Sequence, residues 1–417
     1  MQSISINQPV INRQKVHASF SAGKVPNIPW DIQLARNPQL NRLFIDAFGS
    51  VPWQLLIVRN EFERLEHILS LANFIAIGTI APILLGKLAN NLLTPKLQKQ
   101  YKLSHKGSPL SLPFEWLEPQ MRRKRLVTSA TKAELEKYGL KSIRQLTPKL
   151  ANHIAKIKIG IILLDLLLVC TKGQTYNWLK NWMTEKLSGR SGFSGIFNEA
   201  NAAYVKQKSE RYNKDKKKRF IASLAIGYGS ALALPLALMA IYRSPRKLGQ
   251  GLMGKAKQFL PWFNYTNVVY MSKFILFWEV LSSYNFPALI SARDSNEFRE
   301  KLTKGLVFDF FYFVGDDLLS GKFAQTMQRQ YKKQLGAIQL FETRKITRNF
   351  SIPKAKSYLS IFERVAGNKN HIAFKLAKKT FWAGMVGTTL ALGILTPLLN
   401  IYYTRAKVRR ETASGNF

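Results

Sequence analysis

The chain is poor in cysteine, histidine and acid. Its 417 residues include one cysteine, Cys170, which excludes an intramolecular disulfide and any cysteine-rich zinc or iron–sulfur site. Its histidines, His17, His67, His105, His153 and His371, stand apart and form no HExxH or other compact ligand pair, so no metal site is expected. There is no P-loop, no GxSxG nucleophile elbow and no HRD with DFG pairing, which disfavours standard nucleotide and serine-hydrolase chemistry. The sequence therefore leans away from an enzyme, and no cofactor is expected. Residues 1–60 lack a basic start followed by a compact apolar core, so no secretory signal peptide is expected there. Nor do the apolar residues alternate with period two, and a β-barrel reading fails on that ground.

What is abundant is positive charge and uncharged apolar sequence. Lys and Arg number 63 against 24 Asp and Glu, a net +39, so the counterpart should be anionic. A hydrophobic content of 46% with 12% aromatics is too rich for a disordered chain. The apolar residues gather into runs, and a helix crossing a hydrocarbon core needs about 20 of them. Residues 68–86 (ILSLANFIAIGTIAPILLG), 220–242 (FIASLAIGYGSALALPLALMAIY) and 380–404 (TFWAGMVGTTLALGILTPLLNIYYT) meet that length. Residues 159–171 are apolar apart from Asp165 but short and flanked by lysines, which reads as a re-entrant segment, an interfacial segment or a short span. Residues 259–292 mix Lys273 and Glu279 with aromatics and read as a further span, and 306–319 is too short and acidic to cross lipid alone.

The expected fold is mostly α: a multi-pass helical membrane protein of about four spans, with a range of three to six. An irregular, partly amphipathic region at 1–60 precedes a helical membrane domain at 61–417. Small residues let helices approach in lipid, so the rows Ala225, Gly229, Ala233 and Ala383, Gly387, Ala391 are expected contact faces. Pro82, Pro235 and Pro397 should bend their helices. Gly78-Thr79 before Pro82 resembles Gly387-Thr388 before Pro397, but the match is too short to establish a repeat.

Basic segments at 87–158, 172–219 and 322–379 carry 16, 12 and 14 Lys and Arg against 4, 4 and 2 acids. Lys/Arg excess marks the cytoplasmic side, so the simplest topology keeps all three on one side, with 159–171 dipping and four crossings. The loop at 243–257 is itself basic and opposes that arrangement. Arg122, Arg123, Lys124 and Arg125, and Lys216, Lys217, Lys218 and Arg219, are the expected contacts to anionic lipid headgroups. Nucleic acid is a less favoured partner, since no recognised binding motif accompanies the charge.

The richest chemistry lies between Arg293 and Phe323. Asp294 and Glu297 have the spacing of a capping box, so a helix should start there. Further on, Asp309, Tyr312, Asp316 and Ser320 recur at three or four residues and form one polar stripe, which should line the bundle interior. Ionisable groups at membrane depth need a partner or a cavity. Asp165, Lys273, Glu279, Asp309, Tyr312, Asp316 and Asp317 form the candidate intramembrane site, with Lys273 expected to pair with Glu279 or Asp309. The leading function is a structural or assembly-type membrane protein held at anionic lipid, with a membrane-protein partner or a second copy as possible company. The alternatives are a transporter or channel using the buried carboxylates, and a basic nucleic-acid-binding protein. GQGLMG at 249–254 matches GxGxxG but follows an apolar helix rather than a strand, and reads as a flexible loop.

Overall fold

The computed structural model describes residues 29–126, 132–265, 271–345 and 351–414. The protein is mostly helical, and three of its helices, Glu61–Tyr101, Ala202–Arg243 and Ile372–Ser414, are long and apolar enough to cross a membrane. Among the described residues seven long helices form the body: α1 (38–56), α2 (Glu61–Tyr101), α3 (Pro148–Ser188), α4 (Ala202–Arg243), α5 (273–290), α6 (295–330) and α7 (Ile372–Ser414). Six of them open at a side chain that accepts a backbone N–H of the first turn: Asn60, Thr147, Asn201, Ser272, Asp294 and His371. Pro148 takes the first position of α3, and Gly189, in the left-handed conformation at φ 65°, ends it.

Successive helices run antiparallel between the same two ends. At one end Tyr204 of α4 meets Asn296 of α6 at 3.0 Å and Glu411 of α7 at 2.6 Å. At the other, Tyr101 of α2 meets His153 of α3 at 3.1 Å, Tyr242 of α4 meets Asn152 of α3 at 3.0 Å, and Lys273 of α5 meets Asp317 of α6 at 3.1 Å. The largest apolar core lies at this second end, where Leu112, Phe114 and Leu117 of the α2–α3 connection are buried against Leu150, Ile154 and Ile162. A second core joins Ile32 to Tyr358, Phe374 and Leu376, and the antiparallel hairpin β1 (Phe341–Lys345) and β2 (Ser351–Ala355) packs on α6.

Five stretches widen into π-helix: Ile45–Ser50, Phe74–Ile80, Leu281–Asn285, Phe311–Gly315 and Ala391–Leu395. Four of them end two residues before a proline, at Pro52, Pro82, Pro287 and Pro397. A proline lacks the N–H for the ladder and its ring strikes the carbonyl four residues back, which a wider turn relieves. The likeness between the turns at Pro82 and Pro397 is thus a local response to proline, found again at Pro52 and Pro287, and needs no internal repeat.

Three expectations are corrected. Residues 159–171 do not dip: they lie inside the unbroken 41-residue α3, about 60 Å long at 1.5 Å per residue. The Pro-capped start and Gly-capped end lie far outside the apolar stretch, whose Asp165 meets the Tyr265 hydroxyl through one oxygen. In consequence the basic segments 87–158 and 172–219 stand at opposite ends of α3, whereas 243–257 and 322–379 share the end of 87–158. Ala225, Gly229 and Ala233 are not a contact face within the chain: all three are exposed, and a Cβ on Gly229 would meet nothing within 4 Å. The face of α4 that packs carries Ser223, Gly227 and Ala231, a second row of small residues two positions away, roughly 200° around the helix. The corresponding row in α7 does pack, with Leu319 2.7 Å from where a Cβ on Gly387 would sit.

Candidate functional site

A partly open chamber of about 70 Å³ lies where the π segments of α1, α2 and α5 meet. α1 supplies Arg42, Asp46, Ser50 and Gln54, α3 supplies Lys172, α5 supplies Glu279 and α6 supplies Lys304. Arg42 and Asp46 are four residues apart on one face of α1, and their charged groups approach to 3.7 Å. The guanidinium of Arg42 also lies over the rings of Phe74, at 4.4 Å, and Tyr312, at 5.4 Å. Asp46 is fully engaged, since it also accepts from the hydroxyls of Tyr312 and of Ser50, the latter at 3.3 Å. Lys304 donates to Gln54 Oε1 at 3.0 Å. Lys172 rests on Phe74, 5.5 Å from the ring centre, in a space that exists because residue 78 is glycine: a Cβ there would sit 2.5 Å from its Nζ.

Among the described residues two polar atoms of the chamber-lining side chains make no hydrogen bond: the Nε of Arg42, which faces Asp46 at 3.7 Å, and the Oε2 of Glu279. Glu279 is 2% exposed, and among the described residues neither Lys172 nor Lys304 has a carboxylate within ion-pairing distance. The chamber therefore holds the opposite charges of Lys172 and Glu279 near one another but not in an ion pair.

The candidate residues divide among three places. Glu279 lines the chamber. Asp309 accepts from Asn285 Nδ2 at 2.7 Å and Tyr312 donates to Asp46, so both belong to its surrounding shell. Asp165, 1% exposed on α3, accepts from the Tyr265 hydroxyl at 3.4 Å through one oxygen and has no partner for the other. Asp316 lies against Gly384 of α7, where a Cβ would be 2.3 Å from its Oδ1. Lys273 pairs with Asp317, not with Glu279 or Asp309: it opens α5 at the far end of the bundle, and Asp317 is the acid of α6 at that level. Of the basic clusters, Lys217 and Lys218 are exposed, Lys216 pairs with Glu185 at 3.2 Å, Arg219 donates to the Ala292 carbonyl at 2.7 Å, and Arg122 donates to the Leu146 carbonyl at 2.6 Å. The side chains of Arg123, Lys124 and Arg125 lie outside the described residues. GQGLMG leads into the six-residue helix Gly251–Ala256, with no strand before it among the described residues.

The chain matches no family model, no curated protein and no solved structure.

Sequence reasoning missed Arg42, Asp46, Lys172 and Lys304 as chamber residues. One signal was present, an Arg and an Asp at helical spacing within the otherwise uncharged stretch 38–56. Also missed was a buried ionic network at the end where α6 begins. Arg293 bridges Glu66 of α2, at 3.0 Å, and Glu297, at 2.9 Å, while Lys180 of α3 reaches Glu66 at 3.2 Å and Lys301 reaches Glu297 at 3.0 Å. Asp294 caps α6 through the Glu297 N–H at 2.7 Å, and the Glu297 carboxylate takes the Arg293 N–H at 2.6 Å, one residue before the position a capping box would use. Burial pushes the Asp294 carboxyl up to about 6, against the pull of that backbone N–H. Burial works against the charge on Arg293 too, but Glu297 and Glu66 outweigh it and hold its pKa above the ordinary value. Nearby Arg59 joins Glu63 to Glu300 of α6.

Proposed function

We propose that the chain is a multi-pass integral membrane protein of transporter or channel type, whose seven helices all cross the bilayer and whose chamber holds the solute on its way. One observation carries the reading: among the described residues Asp165, Glu279 and Asp309 have no cation within ion-pairing distance, and each keeps a buried carboxylate oxygen without a hydrogen-bond partner. Glu66 and Glu297, by contrast, are each ion-paired to two or more bases in the Arg293 network. Outward apolar rows support lipid contact on helices too polar to be recognised as spans. Phe298, Leu302, Leu306, Phe310 and Val314 of α6 are all exposed at every fourth position, a stripe about 24 Å long. The connections 102–147, 244–272 and 331–371 then lie on the cytoplasmic side, where Lys/Arg excess belongs. Part of the charge at the opposite end is taken up by the protein, through Lys180, Lys216 and Arg219.

The test has two stages. Full-length protein should resist high salt and alkaline carbonate and dissolve in detergent; release by salt refutes the membrane reading and favours nucleic acid or a headgroup as partner. Reconstituted into vesicles with a trapped pH-sensitive dye, it should carry ion flux that Glu279→Gln and Asp309→Asn reduce with unchanged melting. Variants that melt lower, with no flux in either they or the parent, refute transport.

A second reading, a structural or assembly role with anionic lipid and a membrane-protein partner or second copy, is favoured by the outward row Ala225, Gly229, Ala233 beside exposed Lys217 and Lys218. It requires that Gly229→Leu abolish cross-linked oligomers in native membranes while leaving the monomer's stability unchanged.

A further inference from the structure

We infer that the chamber between α1, α3, α5 and α6 is a binding site for a small α-amino acid in its zwitterionic form. The inference rests on the transporter reading and names its substrate class. Arg42, Lys172 and Lys304 stand in the wall against Asp46 and Glu279, and Asp46 is already closed by Arg42, Tyr312 and Ser50. What remains open among the described residues is an ammonium, Lys172, and an acceptor, Glu279 Oε2, which feel each other's charge but form no ion pair. A lone cation would answer Glu279 but face three bases. A lone anion would answer the bases but meet an unpaired carboxylate. A ligand bearing a carboxylate and an ammonium on adjacent positions answers both, each through a charge-assisted hydrogen bond.

Size and lining agree with that choice. A cavity of about 70 Å³ has room for about five water-sized groups, the heavy-atom count of the smallest amino acid. Val51, Leu71, Val280 and Phe308 add an apolar wall that suits a hydrogen or methyl side chain and rejects a charged one. The carboxylate would lie toward Arg42 and Lys172, and the ammonium toward Glu279.

The experiment is thermal unfolding and calorimetric titration of the full-length protein in detergent, with glycine, L-alanine, acetate, methylammonium and chloride as separate probes. Glycine or L-alanine should raise the midpoint and release or absorb heat, whereas acetate, methylammonium and chloride at equal concentration should not. Glu279→Gln and Lys172→Met should each weaken binding at least about tenfold. Should either variant fail to fold, the contrast among probes on the unaltered protein still decides. Equal shifts from acetate, chloride or methylammonium overturn the zwitterion, and so does a cooperatively melting protein that glycine and L-alanine leave unmoved. That last result leaves the membrane reading standing, whereas vesicles that show no flux of any ion but whose protein binds glycine refute transport and keep the site.

Discussion

Gly160 and Gly173 occupy the same helix, α3, and should respond in opposite directions to the same added methyl group. A Cβ on Gly160 meets nothing within 4 Å, whereas one on Gly173 would sit 1.5 Å from the carbonyl oxygen of Ser283 in the π segment of α5. Alanine in place of helical glycine gains up to about 1 kcal/mol from lower backbone entropy in the unfolded chain. At Gly173 that gain is opposed by overpacking, which costs about 1–3 kcal/mol in general. The obstacle here is backbone, not a side chain that could turn aside, so the upper figure applies and Gly173→Ala should lose about 2 kcal/mol net while Gly160→Ala gains up to about 1. Thermal unfolding of the purified protein in one detergent, followed by far-ultraviolet circular dichroism, reads the difference directly. Because Gly173 also lines the chamber, its variant should separate α3 from α5 there and weaken any ligand response. A Gly173→Ala protein as stable as Gly160→Ala would refute the close α3–α5 crossing and the chamber built on it.

Further outcomes follow from the buried charges and the lone thiol. Arg293→Met should destabilise the protein by about 3–5 kcal/mol, because Glu66 and Glu297 are then left buried with less countercharge; a melting midpoint equal to the parent's would contradict the network. Asp294 titrates near 6 when folded against an ordinary 3.8, so between those values the folded state holds more protons and stability falls as pH rises. Asp294→Asn keeps the cap but should remove that slope, which unfolding midpoints measured from pH 4 to 7 would show as a flatter profile. Cys170 is fully buried beside Gly227, so a membrane-permeant maleimide should label it only after denaturation, and labelling of the native protein would overturn the α3–α4 packing.

Much of the architecture is legible in the sequence. Uninterrupted apolar length at 68–86, 220–242 and 380–404 determined the three helices long and apolar enough to cross a membrane, because length and lack of charge are properties of a segment taken alone. Local chemistry likewise placed the start of α6 at Asp294, since an N-cap involves only neighbours in sequence. The continuous α3 was not legible, because its apolar stretch is short and its polar residues are tolerated only where other helices receive them: Gln174 by Ser223, Asn181 by the Ser291 carbonyl, Lys180 by Glu66. Nor could spacing choose between two rows of small residues in α4, since both repeat every fourth residue and only the position of α3 decides that Gly227 is covered and Gly229 is not. The chamber is the extreme case. Its charges come from positions 42, 46, 172, 279 and 304; Glu279 and the Arg42–Asp46 spacing stand out locally, but nothing in the sequence brings the five together. Sequence determines which segments can hold a helix and how apolar each face is; which charges are left without partners depends on distances between segments, and those exist only after the helices have packed.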